Sequence, residues 1–482
     1  MTIKELLDGI EFGWLTDLKV AEIKTITHKA EEITAGDGYI CLHTDEKGMQ
    51  NIALATSRGA SLIIVDKFVR VPDGVAAIKV KNIRESYALL AKNFYSKCSD
   101  KLKMIGVVGT NGKSTTAYLI YNLLTKNNIM CGLIGTGFYM IGKKRFNLDM
   151  TTPDPMDLHF ILSIMSNCGV TTVVMEVSSH AIYLKKVWGI KYNIGIFTNL
   201  SQDHLDFFGD MQTLEKVKHS FFLDGFAQIS IINVDDKSGE RLAQKLSLPN
   251  ITYAVDNKAD ISVNTYELSS EGSRFNVNLF RETTIFESEL VGKYNIYNIL
   301  SAIVACKLVG VRIKFLIAAL KEIKPLAGRA NLFKHNDVNF VIDYAHTPDG
   351  LQNILVEFKK LTYGKLIVVF GAGGDRDKDK RSKMGEVAAK LADFVIVTTD
   401  NPRSENPVSI MQDIATGISD KQKMLLIEDR REAIKKSIEL VDAFDTIIIA
   451  GKGCEEYFEK NGKKYPYNDK KTLEELLDTE WK

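Results

Sequence analysis

Over most of its length the chain alternates between short apolar runs rich in β-branched residues and stretches with helical composition. Runs of this length between turn residues are typical of strands buried on both faces of a parallel sheet. Helical stretches such as Ser114–Leu124 and Met384–Leu391 lie between several of them. The alternation therefore predicts α/β domains with doubly wound sheets. The apolar runs are Ser61–Val65, Met104–Val108, Thr172–Met175, Ile194–Phe197, Ile229–Ile232, Leu366–Phe370, Phe394–Val397 and Thr446–Ala450.

Length and local composition suggest how the chain is divided into domains. A chain of 482 residues corresponds to about two to four domains. The polar stretch Ser96–Lys101 precedes a predicted strand, and Lys324–Gly328 has the composition of a linker. We therefore predict three domains, at 1–98, 99–328 and 329–482.

Charge and cysteine content exclude several classes of protein. Lys+Arg number 62 and Asp+Glu 61, so no basic excess points to nucleic acid. The six cysteines are scattered without a CxxC pair, which argues against zinc and disulfides and fits a reducing compartment. The first residues, Met1–Trp14, lack the pattern of a signal peptide, and the apolar runs are too short to span a bilayer. We expect a soluble cytoplasmic protein without nucleic-acid or membrane partners.

A glycine-rich loop follows the predicted strand Met104–Val108 and precedes a predicted helix at Ala117–Leu124. Glycines let backbone N–H groups surround phosphate oxygens, and the helix N-terminus adds its dipole. Lys113 would reach the terminal phosphates and the Ser114 hydroxyl would ligate Mg²⁺. The loop is a variant, because Val107 stands where the strict pattern has glycine. It predicts an ATP site formed by Gly109, Thr110, Asn111, Gly112, Lys113, Ser114 and Thr115.

This loop, read as GTNGKSTT, resembles that of the Mur ligase family, and folylpolyglutamate synthetases use a similar one. Further motifs follow in the order typical of Mur ligases, so the resemblance extends from about Met104 to the C-terminus. It implies a central P-loop-type ATP-binding domain, a C-terminal Rossmann-like domain for the amino acid, and a smaller N-terminal α/β domain for a UDP-sugar. The motifs are Met175–His180, Thr198–Asp206, Asp343–Pro348, Gly371–Asp377 and Asp400–Arg403.

The resemblance implies that ATP phosphorylates a carboxylate and that an amine attacks the acyl phosphate. Glu176, at the carboxyl end of a predicted strand, would ligate Mg²⁺ beside Ser114. The resemblance implies that His204 binds a second metal ion. It also implies that Lys218 is carbamylated and helps to hold that ion. Together with Lys113 these residues form the implied catalytic set. The residues alone also permit a solvated carboxylate, a surface histidine and an exposed helical lysine.

Four more residues are implied to complete the nucleotide site. Asn298 lies where a predicted helix begins, and an amide cap at that position is an equally good interpretation. Arg329 follows the linker, and Asp343 and His346 lie on the predicted first strand and turn of the last domain. Such a site requires the C-terminal domain to close over the nucleotide.

The resemblance also implies two substrates. The amine would be meso-diaminopimelate, because Asp400-Asn401-Pro402-Arg403 is the form associated with it and an arginine fork pairs bidentately with its extra carboxylate. Glu455 suits an ammonium group. The alternative is that Arg403 is a surface arginine after a turn. Arg376 and Gly451 would complete this pocket. Contacts to UDP-N-acetylmuramoyl-dipeptide would come from Thr151, Thr152, Ser178, Ser179, His180 and Lys186.

Three departures from the family pattern leave alternatives open. Ile26–Glu31 stands where Asp-Ser-Arg is usual, Lys186 replaces an arginine, and Cys454 replaces a histidine. The first two fall on the UDP-sugar side. The main hypothesis is a monomeric ligase that adds meso-diaminopimelate to UDP-N-acetylmuramoyl-L-alanyl-D-glutamate. The alternatives are a paralogue that acts on another carboxylate, a nucleotide-binding relative without ligase activity, and, more weakly, folylpolyglutamate synthesis.

Overall fold

The computed structural model describes residues 1–280 and 282–480, and its first sheet has five strands in the order β1-β5-β4-β3-β2. Only β1 is antiparallel to its neighbour. The strands are β1 Phe12–Trp14, β2 Ile26–Thr27, β3 Gly38–Ile40, β4 Leu62–Val65 and β5 Ala76–Val80. The helices are α1 Ile3–Leu6, α2 Glu46–Ser57 and α3 Ile83–Phe94, with 3₁₀ turns at Ala30–Glu32 and Cys98–Lys101.

The second sheet has eleven strands in the order β16-β15-β14-β13-β12-β11-β6-β10-β7-β8-β9. Its middle is parallel, and antiparallel hairpins extend both edges. The strands are β6 Lys103–Val108, β7 Cys131–Gly135, β8 Phe138–Ile141, β9 Lys144–Asn147, β10 Thr172–Glu176, β11 Tyr192–Phe197, β12 Ala227–Asn233, β13 Asn250–Ala254, β14 Ile261–Ser269, β15 Gly272–Leu279 and β16 Glu282–Ser288. The helices are α4 Lys113–Lys126, α5 Pro155–Asn167, α6 Ser179–Tyr183, α7 Leu205–Phe208, α8 Met211–Leu223, α9 Lys237–Lys245, α10 Lys293–Val309 and α11 Ile313–Leu320.

Helix α8 lies close against this sheet because two strands carry glycine where it packs. A Cβ atom at Gly106 of β6 would lie 2.8 Å from the Phe221 ring, and one at Gly195 would lie 3.0 Å from the Phe222 ring. Lys218 lies one helical turn before this aromatic pair and so shares its face of the helix. The close packing carries Lys218 into the region where the parallel strands end.

The third sheet has six strands in the order β17-β18-β22-β19-β20-β21, with β17 antiparallel and the rest parallel. The strands are β17 Asn331–His335, β18 Val338–Asp343, β19 Leu366–Phe370, β20 Phe394–Val397, β21 Met424–Leu426 and β22 Thr446–Ala450, followed by the hairpin β23 Tyr457–Lys460 and β24 Lys463–Pro466. The helices are α12 Pro348–Leu361, α13 Asp379–Leu391, α14 Pro407–Thr416, α15 Arg430–Glu439 and α16 Asp469–Glu480, with a 3₁₀ turn at Lys421–Lys423.

The predicted α/β class is confirmed, and each predicted apolar run overlaps a strand. One position was wrong: Asp343 ends the second strand of the third sheet, because the polar strand β17 precedes it. The edge hairpins were also missed, since strands such as β14 are largely exposed and lack an apolar run. The three sheets lie within 1–98, 99–328 and 329–482, which we keep as proposed domain limits. No helix in the described part of the chain is long and apolar enough to cross a membrane.

Candidate active site

A cavity of about 540 Å³ lies where the carboxyl ends of the central strands face the beginning of the last sheet. It brings together most of the residues predicted to bind nucleotide, metal and acyl substrate, although they are scattered over about half of the chain. Those that line it are Gly109, Thr110, Asn111, Gly112, Lys113, Ser114, Thr115, Thr151, Glu176, Ser178, Ser179, His204, Lys218, Asn298, Arg329, Asp343 and His346.

The glycine-rich loop joins β6 to α4 and encloses its own lysine. Lys113 Nζ donates to the carbonyls of Gly109 at 3.0 Å and Thr110 at 2.7 Å. Burial lowers the pKa of Lys113. Gly112 has a φ of +85°, and a Cβ atom there would collide with Asn298 Oδ1. The loop therefore needs glycine at this position for both its conformation and its contact with α10.

Ser114 and Glu176, the predicted Mg²⁺ ligands, are in direct contact. Ser114 Oγ donates to Glu176 Oε2 at 2.9 Å, and Thr136 donates its N–H to Oε1 at 2.8 Å and its hydroxyl to Oε2 at 3.2 Å. Arg329 Nη2 donates to Ser114 Oγ at 3.1 Å. These side-chain oxygens are of the kind that Mg²⁺ prefers, so Ser114 and Glu176 would be able to hold the ion. Thr136 was missed, because nothing in the Gly-Thr-Gly at the end of β7 distinguishes it from an ordinary turn.

Two imidazoles and a carboxylate meet beside the loop. His204 has a φ of +56°, and its Nε2 lies 3.2 Å from Asp203 Oδ2, while His346 Nε2 lies 3.8 Å from the same oxygen. Burial lowers the pKa of both histidines, which favours the neutral imidazole that a metal binds. Asp203 belongs to the motif at Thr198–Asp206 but was not singled out as a site residue.

Lys218 projects into the cavity and is only 3% exposed. Within residues 1–280 and 282–480 its ammonium has no hydrogen bond or ion pair with protein. Burial, together with the nearby charge of Lys113, holds the pKa of Lys218 well below its usual range. An ammonium repels a metal ion, so His204 and Lys218 fit a second metal only after the lysine has lost its positive charge. The described residues contain no group of three His, Cys, Asp or Glu side chains placed to hold a metal by themselves.

The residues predicted to bind the amino acid form a separate cluster at the end of the last sheet. Asn401 Nδ2 donates to Glu455 Oε2 at 2.9 Å, and Lys452 Nζ donates to Asn401 Oδ1 at 3.0 Å. Burial raises the pKa of Glu455. A Cβ atom at Gly451 would lie 2.5 Å from Asp400 Oδ2, so the close approach of these two loops requires the glycine.

Arg403 and Arg376 both lie against Gly373, where a Cβ atom would be 2.9 Å from Arg403 Nη1 and 3.8 Å from Arg376 Cγ. Arg403 Nη1 donates to the Gly374 carbonyl at 2.6 Å, and its Nε lies 3.4 Å from Glu459 Oε2. Arg376 is exposed, and among the described residues its side chain is hydrogen-bonded to the Asp375 carbonyl of its own loop.

Tyr344 connects this cluster to the main cavity. Its ring lies on the cavity wall with the guanidinium carbon of Arg329 4.3 Å from its centroid, and its hydroxyl donates to Glu455 Oε1 at 3.5 Å. The Tyr344 side chain therefore lies between the amino-acid cluster and the groups around Ser114. Sequence reasoning missed Tyr344 although it lies inside a quoted motif.

The residues predicted to hold the acyl substrate separate into two kinds. Thr151 lines the cavity, and its hydroxyl is hydrogen-bonded to that of Thr136 at 3.1 Å. Thr152 is buried and structural, donating to the Glu176 carbonyl at 2.9 Å. The ring of His180 lies 4.8 Å from that of His204, outside the cavity wall.

The two departures on the UDP-sugar side lie near the same carboxylate. Lys186 Nζ lies 2.7 Å from Asp154 Oδ1. Burial lowers the pKa of His28, and Asp154 partly opposes that shift. Both Lys186 and His28 are thus within reach of the same negative charge, in a region where the family pattern has arginines.

Comparison with known proteins places these motifs in one family. The Mur ligase middle domain matches residues 107–306, and the Mur ligase glutamate ligase domain matches residues 328–453. A UDP-N-acetylmuramoyl-L-alanyl-D-glutamate–2,6-diaminopimelate ligase of Clostridium acetobutylicum is 37% identical over 483 residues, covering 99% of each chain. The Aquifex aeolicus enzyme of that name is 37% identical over 94% of each chain.

Solved structures agree with the sequence matches. A structure of a ligase of the same name has a TM-score of 0.71 at 29% identity, covering 99% of both chains. MurF ligase of Thermotoga maritima in complex with ADP has a TM-score of 0.63 at 18% identity, covering 95% of this chain and 97% of that one, and so shares the fold. With matching domains over most of its length and full-length relatives above 30% identity, this chain belongs to the Mur ligase family.

Proposed function

We propose that this protein is an ATP-dependent ligase that joins meso-diaminopimelate to the D-glutamyl carboxylate of UDP-N-acetylmuramoyl-L-alanyl-D-glutamate. The observation that carries the proposal is the contact across the domain junction, where Arg329 bonds to Ser114 and stacks on Tyr344, which bonds to Glu455. Groups suited to phosphate and to an amino acid are thereby adjacent. The names of the relatives support the choice of substrates.

The chemistry follows from the charges at this junction. A carboxylate oxygen attacks the γ-phosphorus, ADP leaves, and the amine then attacks the acyl carbon and displaces phosphate as the amide forms. Two anions must approach each other in the first step, so positive charge around the phosphates is essential. Lys113 and Arg329 supply that charge from the two sides of the cavity.

Magnesium would be held by Ser114 and Glu176, with Thr136 orienting the carboxylate. When bound, the ion neutralises phosphate charge and aligns the transferring group. We further propose that Lys218 carries a carbamate. Its buried, uncharged amine is the form that reacts with CO₂, and the carbamate would supply an anionic oxygen ligand beside His204.

The amine substrate is assigned by charge. The pocket offers a guanidinium at Arg403 for a distal carboxylate and a carboxylate at Glu455 for an ammonium. Diaminopimelate carries both groups at its far end, whereas L-lysine lacks the carboxylate that would pair with arginine. We also propose that the protein acts as a cytoplasmic monomer.

Phosphate release tests the proposal. Purified protein is supplied with ATP, Mg²⁺ and UDP-N-acetylmuramoyl-L-alanyl-D-glutamate, with meso-diaminopimelate or L-lysine in parallel. Release that requires both the nucleotide-sugar and diaminopimelate is expected. Release with L-lysine instead would keep the ligase and reject the role of Arg403.

One specific observation favours a second candidate, a ligase that acts on another acyl substrate. Lys186, which replaces an arginine, is already paired with Asp154, and His28 is partly buried nearby. Absence of release with either amine, together with intact ATP binding, would support this candidate. Activity with the nucleotide-sugar would reject it.

A further inference from the structure

Arg430 is a buried arginine at the end of the last sheet, outside the residues assigned to substrates. It opens α15 and is 6% exposed, while its partner Asp469 opens α16 and is fully buried. Arg430 Nε donates to Asp469 Oδ1 at 2.8 Å, and Nη2 donates to Oδ2 at 2.8 Å. Such a bidentate pair fixes the plane of the guanidinium. A buried ion pair often contributes little net stability, so a geometric role is the better explanation for it.

The outer N–H groups of Arg430 also hold two backbone carbonyls. Nη1 donates to Thr399 O at 3.3 Å and Nη2 donates to Ala450 O at 2.9 Å. Thr399 follows the end of β20, and Ala450 is the last residue of β22. These strands flank β19 on either side. One side chain therefore sets the spacing between the ends of two strands that do not pair with each other.

The loops that follow these carbonyls carry the proposed amino-acid pocket. Asn401 lies two residues after Thr399, and Gly451 and Lys452 directly follow Ala450. Lys452 Nζ links the loops by donating to Asn401 Oδ1 at 3.0 Å and to Glu455 Oε2 at 3.1 Å. A shift of one loop against the other would break these contacts and move the groups that face the amino acid.

The segment around Asp469 holds the same pocket from its other side. Asn468 Nδ2 donates to the Glu455 carbonyl at 3.2 Å, and the Tyr467 N–H donates to the Glu456 carbonyl at 3.0 Å. Arg430 and its carboxylate partner thus connect three chain segments that meet at Glu455.

We propose that Arg430, oriented by Asp469, is a positioning residue for the amino-acid substrate. It sets the distance between the Thr399 and Ala450 loops and so holds Asn401 and Glu455 in the arrangement that binds the amine. The inference rests on the proposed function, because that function identifies the pocket as the amino-acid site.

The variant Arg430→Lys tests this role. Lysine keeps the positive charge, but a single ammonium group cannot span Asp469 and both carbonyls. Misplacement of a binding group by about 1 Å costs up to about a hundredfold, so we expect the KM for diaminopimelate to rise about 10–100-fold. The KM for ATP should stay near the wild-type value, because the phosphate loop has no contact with Arg430.

A matched control is the next residue on the same helix. Arg431 pairs with Glu475 at 2.7 Å on the surface, also between α15 and α16, and within the described residues its side chain has no hydrogen bond to either loop. Arg431→Lys should leave both KM values unchanged. Asp469→Asn removes the orienting charge. Like Arg430→Lys, it should raise the KM for diaminopimelate and leave the KM for ATP near the wild-type value. Thermal unfolding identifies the folded variants, and only those are compared.

The outcomes separate the inference from the proposed function. Wild-type turnover with diaminopimelate tests the function alone. An equal rise in both KM values, no change in a folded Arg430→Lys variant, or the same effect from Arg431→Lys would overturn the positioning role. A crystal structure of Arg430→Lys tests it without activity: we expect the Lys452–Asn401 hydrogen bond to be lost, and unchanged loops would reject the inference.

Discussion

The phosphate end and the amino-acid end of this site are built differently. At the phosphate end, consecutive residues of one loop surround Lys113, and backbone carbonyls hold it. At the amino-acid end, Lys452, Asn401 and Glu455 come from two loops whose contacting residues lie 51 and 54 positions apart. Side chains, several of them charged, hold that end together. The first end is thus specified by local sequence, and the second depends on tertiary contacts.

The largest effect should come from Lys113. Replacing it with alanine removes the positive charge at the terminal phosphates, and loss of one such group costs at least about a hundredfold in turnover. Lys126→Ala is the control, since Lys126 lies on the same helix but pairs with Glu322 at the surface. Phosphate release is measured for both. Near wild-type turnover by Lys113→Ala would show that the phosphate end does not depend on Lys113, and the contrast drawn between the two ends would then fail.

Lys218 should come next. We expect Lys218→Ala to reduce turnover by about a hundredfold, as for loss of a group that stabilises transition-state charge, and a short-chain carboxylate to restore part of it. The exposed neighbour Lys216 on the same helix supplies the control variant Lys216→Ala. Intact mass spectrometry under CO₂ should show one added carbamate on the wild type. An unmodified, active protein with no rescue of the variant would contradict the carbamate.

Arg403 tests the amino-acid end. Its removal should raise the KM for diaminopimelate and leave that for ATP unchanged. We expect the KM for diaminopimelate to rise about thirtyfold, which corresponds to about 2 kcal/mol. This is at the low end for the loss of a charge pair, because Arg403 also pairs with Glu459. Arg376→Ala should have a smaller effect, because Arg376 is exposed. Steady-state kinetics with each substrate varied makes the comparison, and parallel changes in both KM values would reject the pocket.

The same contrast explains what the sequence could predict. Gly112, Lys113 and Ser114 are adjacent in the chain, so strand, loop and helix follow from local pattern alone. Thr136 and Tyr344 escaped notice because their importance comes from what they touch, Glu176 and Glu455, and not from their neighbours in sequence. The predicted pair Ser114 and Glu176 is in contact, 62 residues apart, which the common edge of a parallel sheet allows one to foresee.

Other parts of the site could not be foreseen. Arg376 is exposed, and its role in the amino-acid pocket stays a prediction, since a motif specifies residue type but not side-chain direction. Thr152 lies in the predicted segment but turns inward to bond to the Glu176 carbonyl. The edge hairpins of the central sheet have alternating or polar strands, which local hydrophobicity does not distinguish from loops.

If ion pairs hold the amino-acid end, the stability of this end should fall more steeply at acid pH than the stability of the phosphate end. Arg381 donates to both oxygens of Glu405, at 2.8 and 3.0 Å. These bonds, with a backbone N–H from Asp375, lower the pKa of Glu405 from 4.5 to about 2. A carboxylate with a lowered folded-state pKa stabilises the protein above its unfolded pKa and loses that contribution as the pH falls towards 2.

Glu405→Gln tests this dependence and has the smallest expected effect. Near neutral pH we expect the unfolding temperature of the variant to be lower by about 2–4 °C, as for a loss of about 1 kcal/mol in a domain of moderate size. The difference should shrink below about pH 4.5 and vanish only below about pH 2, where the wild-type carboxylate becomes protonated in the folded protein as well. Glu474→Gln is the control, since Glu474 is exposed and pairs with Lys470 on the surface at 3.6 Å. A difference that stays constant from pH 7 to about pH 2 would mean that packing, and not charge, holds the amino-acid end.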